Sequence, residues 1–279
     1  MRPGPVYVLG ATSMPGWSVI RHAAARPLVP FCSPHVKLPA CRRWRRFNLE
    51  DEAAYRDLFN GQAPEAIIHA GGICDIEKCE ANPGWAHQVN VQSLAHLLNH
   101  IPGKTRLVYI SSDHVFGGRA KPYDENSTPA PISVYGRTRV QAERLILERK
   151  ENSLILRCAL GIGPSIDGRT GHLSWLRYRR DKHLPVTIIR DEVRSAVWAE
   201  DLAQRILDYC DSPVTGLRHI TAARAVSRIK LARYLNARFG LGLQFSVKSR
   251  KERPVPHLGR VELATIYKDP LAAPLPPVA

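Results

Sequence analysis

Over residues 1–160 of this 279-residue chain, apolar runs of strand length alternate with amphipathic segments of helix length, and that alternation leaves few folds open. Strand runs fall at Val6 to Gly10, Leu28 to Cys32, Arg46 to Leu49, Ala66 to Ala70, Arg106 to Ser111 and Ser153 to Cys158. Helical segments fall between them at Pro15 to Ala25, Glu52 to Phe59, Trp85 to His100 and Ser133 to Lys150. The third of these carries Val89, Leu94, Leu97 and Leu98 at spacings that build one apolar face for packing on a sheet. Strand, helix, strand in repetition is the βαβ unit, and its product is a parallel α/β sheet.

Beyond Gly161 the pattern loosens, with Gly163-Pro164, Asp167-Gly168 and Thr170-Gly171 marking loops. A helix near Leu173 to Arg180, a strand at Pro185 to Ile189, helices at Glu200 to Tyr209 and Val226 to Phe239, and a strand at Gly216 to Thr221 suggest a smaller α+β unit. The expected division is a main domain over 1–160, with 196–221 returning to it, and a cap made of 161–195 and 222–268. The Pro- and Ala-rich residues 269–279 read as a loose tail.

Hydrophobic residues make up 44% and charged residues 23% of the chain, which excludes a disordered polymer. No apolar run of about 18 residues exists to span a bilayer. The start, Met1-Arg2-Pro3-Gly4-Pro5, leads into a strand without an apolar signal segment, so the cytoplasm is the expected location. The six cysteines form no C-x-x-C pair, and no metal site is expected; Cys74 and Cys79 read as ordinary thiols. The net charge of +15, concentrated at Arg42 to Arg46, Arg177 to Lys182 and Lys248 to Arg253, attracts polyanions. Without a nucleic-acid-binding module, nucleic acid is disfavoured against phosphorylated small molecules.

Two sites carry chemistry. Val6-Tyr7-Val8-Leu9 ends in Gly10-Ala11-Thr12-Ser13-Met14-Pro15-Gly16 and a helix follows at once, which places free N–H groups and a helix dipole where a pyrophosphate can sit. The second strand ends at Cys32-Ser33-Pro34-His35-Val36-Lys37 without the carboxylate that would hold an NAD ribose diol, and Lys37, Arg42 and Arg43 lie nearby. NADPH is therefore favoured over NADH. Farther on, an apolar strand delivers Ser111, Ser112 and Asp113 to its carboxyl end, the ligand-binding side of a parallel sheet. Tyr135 and Arg139 stand i and i+4 on a helix, so phenol and guanidinium share a face. The cation is expected to lower the phenol pKa and make Tyr135 a usable acid or base, with Ser112 holding a substrate oxygen.

Ser111-Ser112-Asp113-His114-Val115-Phe116-Gly117, Pro122-Tyr123-Asp124-Glu125-Asn126 and Pro129 to Arg139 resemble the extended short-chain dehydrogenase/reductases. Within them the likeness is to the dTDP-4-dehydrorhamnose reductase group, which also includes the regulatory β subunit of methionine adenosyltransferase. His69-Ala70-Gly71-Gly72, Glu77-Lys78-Cys79-Glu80, Val89-Asn90-Val91 and Arg253-Pro254 extend it over almost the whole chain. The resemblance implies a Rossmann-type doubly wound parallel sheet with a smaller substrate-binding cap.

It also implies roles. Gly10, Thr12, Ser13, Met14 and Gly16 would line the cofactor diphosphate; Ser33 and Lys37 would lie by the adenosine ribose; Asn48 and Leu49 would flank the adenine. Ala70, Gly71, Gly72 and Ser111 would run along the cofactor. Ser112, Tyr135 and Arg139 would be catalytic, and Asp113, Trp175, Arg194 and Arg253 would hold the nucleotide-sugar substrate. The family lysine is Arg139 here, and its middle loop glycine is Ser13. An arginine keeps its charge but cannot relay a proton by losing one. Three functions therefore stand open: an NADPH-dependent reductase of a nucleotide-linked keto-deoxysugar; a non-catalytic NADP-binding regulator with a homodimeric or partner-enzyme contact; and a nucleic-acid-associated relative.

Overall fold

The computed structural model describes residues 4–23, 26–61 and 63–279. Its first half runs β1 (Val6–Leu9), α1 (Met14–His22), β2 (Leu28–Cys32), β3 (Arg45–Arg46), α2 (Glu52–Leu58), β4 (Ala66–His69), α3 (Ile76–Ala81), α4 (Pro83–His87), α5 (Ser93–His100) and β5 (Arg106–Ser112). The second runs α6 (Val134–Arg149), β6 (Ser153–Cys158), β7 (Leu160–Ile162), α7 (His172–Asp181), β8 (Val186–Ile189), β9 (Val193–Trp198), α8 (Ala199–Asp211), β10 (Gly216–Ile220), β11 (Ala225–Ser227), α9 (Arg228–Arg238), β12 (Phe245–Lys248) and β13 (Arg260–Val261). The last expected residues of the first helix, Ala24 and Ala25, lie outside the described residues.

Seven parallel strands form the main sheet in the order β10-β6-β5-β4-β1-β2-β3. Successive side chains of a strand point to opposite faces, and both faces here are apolar. Val6, Val8, Ile68, Val108, Ile110, Leu154 and Leu156 meet Val19 of α1 and Leu202, Ala203 and Ile206 of α8. Tyr7, Leu9, Ile67, Leu107, Tyr109 and Ile155 meet Tyr55 of α2, Leu94 and Leu97 of α5, and Ala142 and Ile146 of α6. The strand order turns back at β1, whose neighbours are β2 and β4, and a crevice opens there beyond the carboxyl ends of the strands.

The smaller unit pairs β9 with β7, β11 and β13, and β8 with β12, while α7 and α9 bury Leu173, Leu176, Leu231 and Leu235. The return of the chain to the main sheet begins at α8 and ends with β10; residues 196–198 lie in the cap strand β9.

Three expectations shift. The third strand is only Arg45–Arg46, because Phe47 turns inward against Phe31 and Tyr55 and carries Asn48 and Leu49 out of the sheet. The helix expected over Trp85 to His100 contains a π-helical turn at Gln88–Gln92. There Asn90 accepts from Ile73 N at 2.8 Å and donates to Ile73 O and Thr138 Oγ1, both at 3.0 Å, a local demand of the kind that keeps π-turns at functional sites. Residues 269–279 are not loose. Leu275 N donates to Thr221 O at 2.9 Å, Val278 N donates to Ala196 O at 3.2 Å, and both side chains are buried, Leu275 in the main core and Val278 in the cap core. Their apolar side chains, spaced by prolines, find two separate cores to fill.

Beneath the crevice lies a buried ion pair. Arg157 of β6 donates from Nε and Nη2 to Glu143 of α6, the shorter contact at 2.7 Å, and Ser111 Oγ donates to the same carboxylate at 2.5 Å. Glu143→Ala should leave a buried guanidinium unpaired and cost about 3–5 kcal/mol, read as a lower urea midpoint at unchanged slope.

Candidate active site

The phosphate loop is built by close backbone approach. Gly10 holds φ +76°, and a side chain there would collide with the backbone of Gly71, so the turn after β1 can pass the turn after β4 only with glycine at position 10. Gly16 faces Gly10 O and Ser13 Oγ just as closely. Ser13, which lines the cleft as expected of the loop, also caps α1, its hydroxyl accepting from Gly16 N at 3.1 Å and keeping its O–H free to donate. That explains a serine at this position: it ties down a helix start that needs a side-chain acceptor.

A cleft of about 690 Å³ runs from this loop across the sheet edge, a size suited to a cofactor-scale ligand. Of the residues read from sequence, Gly10, Thr12, Ser13, Met14, Ser33, Asn48, Leu49, Ala70, Gly71, Gly72, Ser111, Ser112, Tyr135, Arg139 and Arg194 line it together. Gly16 lies behind the loop. Lys37, Arg42 and Arg43 are exposed and do not line the cleft. The cation tied to that end is Arg46, which donates to Cys32 Sγ at 3.1 Å and Val36 O at 2.8 Å and so fixes the loop after β2.

At the other end Ser112 and Tyr135 both line the cleft, with Ser112 Oγ accepting from His114 N at 3.2 Å and donating to Asp113 Oδ1 at 3.4 Å. The Arg139 guanidinium lies 5.1 Å from the centre of the Tyr135 ring and donates to Tyr109 Oη at 2.6 Å and Gly71 O at 3.5 Å. Sequence reasoning expects the cation to lower the phenol pKa. The cation does pull that way, but Tyr135 is only 6% exposed, and burial, the larger effect, leaves its pKa above the ordinary phenol value. Tyr135 is thus a protonated donor at neutral pH.

The expected substrate residues fare unevenly. Asp113 is fully buried and bonds Arg194 through two contacts, one at 2.5 Å to Nε; Arg194 also donates from Nη1 to Glu192 at 3.1 Å. Arg194 reaches the cleft wall with three of its five donors engaged by Asp113 and Glu192, so it offers a rigid polar edge whose charge is already paired. Trp175 packs against the cap core and stacks on His172, and Arg253 pairs with Glu77 at 3.5 Å; neither lines the cleft. Cleft residues that sequence reasoning did not single out are Glu50, Cys74, His114, Asp167 and His172. His114 was legible, since it follows Asp113 in the motif and its ring meets that of Tyr135 edge-on at 5.3 Å. His172 was not, because its place depends on how the cap folds over.

Fold and cleft together define an extended short-chain dehydrogenase/reductase. The chain belongs to the family described as the RmlD substrate binding domain, whose model matches residues 4–258. It is 35% identical over 116 residues to the methionine adenosyltransferase 2 subunit beta of Xenopus tropicalis, a match covering 41% of this chain and 35% of that protein. The chain thus matches only about a third of that relative's length. It is 27% identical over 188 residues to the dTDP-4-dehydrorhamnose reductase of Mycolicibacterium smegmatis, covering 66% of this chain and 56% of that one. The crystal structure of dTDP-4-dehydrorhamnose reductase from Bacillus anthracis in complex with NADP superposes with a TM-score of 0.83 at 18% identity, over 99% of this chain and 95% of that one.

Burial also sets an acid limit. His69 is held down at about 4 by burial and then by the nearby Arg139 charge, and neither ring nitrogen has a hydrogen-bond partner. In the unfolded chain it takes a proton near its ordinary 6.5. The unfolded state therefore binds more protons between those values, and stability is whole above about 6.5 and lost as pH falls toward about 4. The melting temperature should hold from pH 8 to about 7 and then drop, and His69→Phe should shallow that drop by about 1.4 kcal/mol per pH unit.

Proposed function

We propose that the protein is an NADPH-dependent reductase of a nucleotide-linked keto-deoxysugar. The observation that carries this reading is the meeting of Ser112 and Tyr135 at one cleft wall, with the buried Arg139 cation 5.1 Å from the Tyr135 ring centre. The cleft suits the cofactor in size, about 690 Å³, and in lining, with the phosphate loop at one end, and Gly72, at φ +125°, lets Asn90 and Arg139 approach within 2.5 Å and 2.9 Å of where a Cβ would stand. Gly10, Thr12, Met14 and the start of α1 would hold the diphosphate, Phe47 to Leu49 the adenine side, and Gly71, Gly72 and Arg139 the nicotinamide side. The dinucleotide, when bound, supplies the hydride.

The chain's own residues do the rest. Ser112 Oγ donates to the substrate carbonyl oxygen and fixes it against Tyr135. Tyr135, protonated because it is buried, gives its proton to that oxygen as negative charge develops there. Arg139 stabilises the phenolate left behind without releasing a proton of its own. Asp113, fixed by Arg194, anchors the segment that presents Ser112.

With dTDP-4-dehydrorhamnose as substrate, purified protein should oxidise NADPH, and Tyr135→Phe should lower the rate by about 10²–10⁴. Arg139→Lys should retain turnover, whereas Arg139→Met should lose it; equal rates in all three would remove Arg139 from the machinery. NADPH should bind at least roughly ten-fold more tightly than NADH, because no carboxylate stands at the end of β2 to meet the ribose diol.

A second reading has its own support. The arginine at position 139 and the matched stretch of a methionine adenosyltransferase subunit favour a regulator that binds a dinucleotide without turning it over. NADPH bound tightly and never consumed with any keto-sugar nucleotide would select it.

A further inference from the structure

We infer that Tyr109 is the positioning residue that allows an arginine to serve four residues after Tyr135: its hydroxyl anchors one arm of the guanidinium and so aims the other at the cleft. The inference deepens the proposed reading of this site, on which its catalytic part rests.

A lysine at position 139 would be a compact cation able to satisfy its donors in many directions. Arginine is a planar fork with five donors, and one rotation of that plane decides which of them reach the cleft. Arg139 is only 5% exposed, and its partners are the Tyr109 hydroxyl, the Gly71 carbonyl and the Tyr109 and Tyr135 rings, with no carboxylate among the described contacts. A buried cation in that state needs strong acceptors to hold it. Nη1 takes the shortest of them, Tyr109 Oη at 2.6 Å. The opposite arm then falls on Gly71 O at 3.5 Å and beside Gly72, at the cleft wall, and the guanidinium carbon lies between the two rings, 5.6 Å from Tyr109 and 5.1 Å from Tyr135. Nε has no partner.

Tyr109 is placed to hold this arrangement still. It lies on β5, two residues before Ser111, is fully buried against His69 and the helical layer, and does not line the cleft. Its own hydroxyl is therefore not a candidate for substrate contact. The guanidinium bonded to the Tyr109 hydroxyl also lies 5.1 Å from the Tyr135 ring centre, so the orientation that Tyr109 imposes is felt directly at Tyr135.

The test pairs Tyr109→Phe with Arg139→Lys and reads two quantities. The first is tyrosinate absorbance against pH in protein without added cofactor, taken as the difference between each background and the same background carrying Tyr135→Phe. Tyr109→Phe should move the Tyr135 midpoint up by about one pH unit when position 139 is arginine, and leave it in place in the Arg139→Lys background. The second is the pH profile of NADPH oxidation. Tyr109→Phe should lower kcat by about ten-fold in the wild-type background and by less than about two-fold in the Arg139→Lys background.

An unmoved or lowered Tyr135 midpoint, or equal effects of Tyr109→Phe in both backgrounds, would overturn the inference. If Tyr109→Phe alone fails to fold while the double variant folds, the dependence of arginine on this hydroxyl is shown by stability instead; failure of both overturns it, because the loss would then not depend on the fork. A wild-type protein that consumes no NADPH removes the reductase reading, and the absorbance titration still decides the role of Tyr109.

Discussion

Arg139 brings a charge it cannot shed into an interior where its neighbours offer no countercharge, and much of the site is shaped by that demand. Ionised groups are costly to bury unless strong acceptors replace water. Here the Tyr109 hydroxyl, the Gly71 carbonyl and the Tyr135 ring do so, and they come from β5, the turn after β4 and the start of α6. The cation thereby ties three elements together at the point where the strand order reverses. It also adds to the burial that keeps the His69 imidazole neutral and restrains, without overcoming, the effect of burial on Tyr135.

A second buried charge pair works one layer below. Glu143 on α6 holds Arg157 on β6 and the hydroxyl of Ser111 on β5, so the helix that carries Tyr135 and the strand that carries Ser112 are bound through one carboxylate. The relative placement of the Ser112 and Tyr135 hydroxyls thus depends on a carboxylate, Glu143, that does not itself line the cleft.

Much of this was legible in the sequence where local chemistry decides structure. Val6 to Leu9, Ala66 to His69 and Ser153 to Cys158 are short apolar runs between turn signals, and each is a strand of the main sheet. The glycine loop and the Ser112, Tyr135 and Arg139 constellation meet in one cleft as their spacing implied. What escaped depends on contacts between distant residues. Lys37 and Arg42 have the right charge, but the path of the loop that places them in solvent is set by Arg46 reaching back to Val36. Arg194 and Asp113 each look like ligand-binding groups until they are seen bonded to one another, 81 residues apart in sequence. Tyr109 is hidden in an apolar run, where nothing marks its hydroxyl as different from a packed ring. The direction of the Tyr135 shift was missed for the same reason: a neighbouring cation can be read from i and i+4, whereas burial cannot.

The terminal strap, with Leu275 in one core and Val278 in the other, fastens the main sheet to the smaller unit a second time, beyond the bond between Arg194 of β9 and Asp113 at the end of β5. Because Leu275 N bonds Thr221 O and Val278 N bonds Ala196 O, a loss of packing in either core is passed to the other, and the two unfold as one cooperative body rather than as separate lobes.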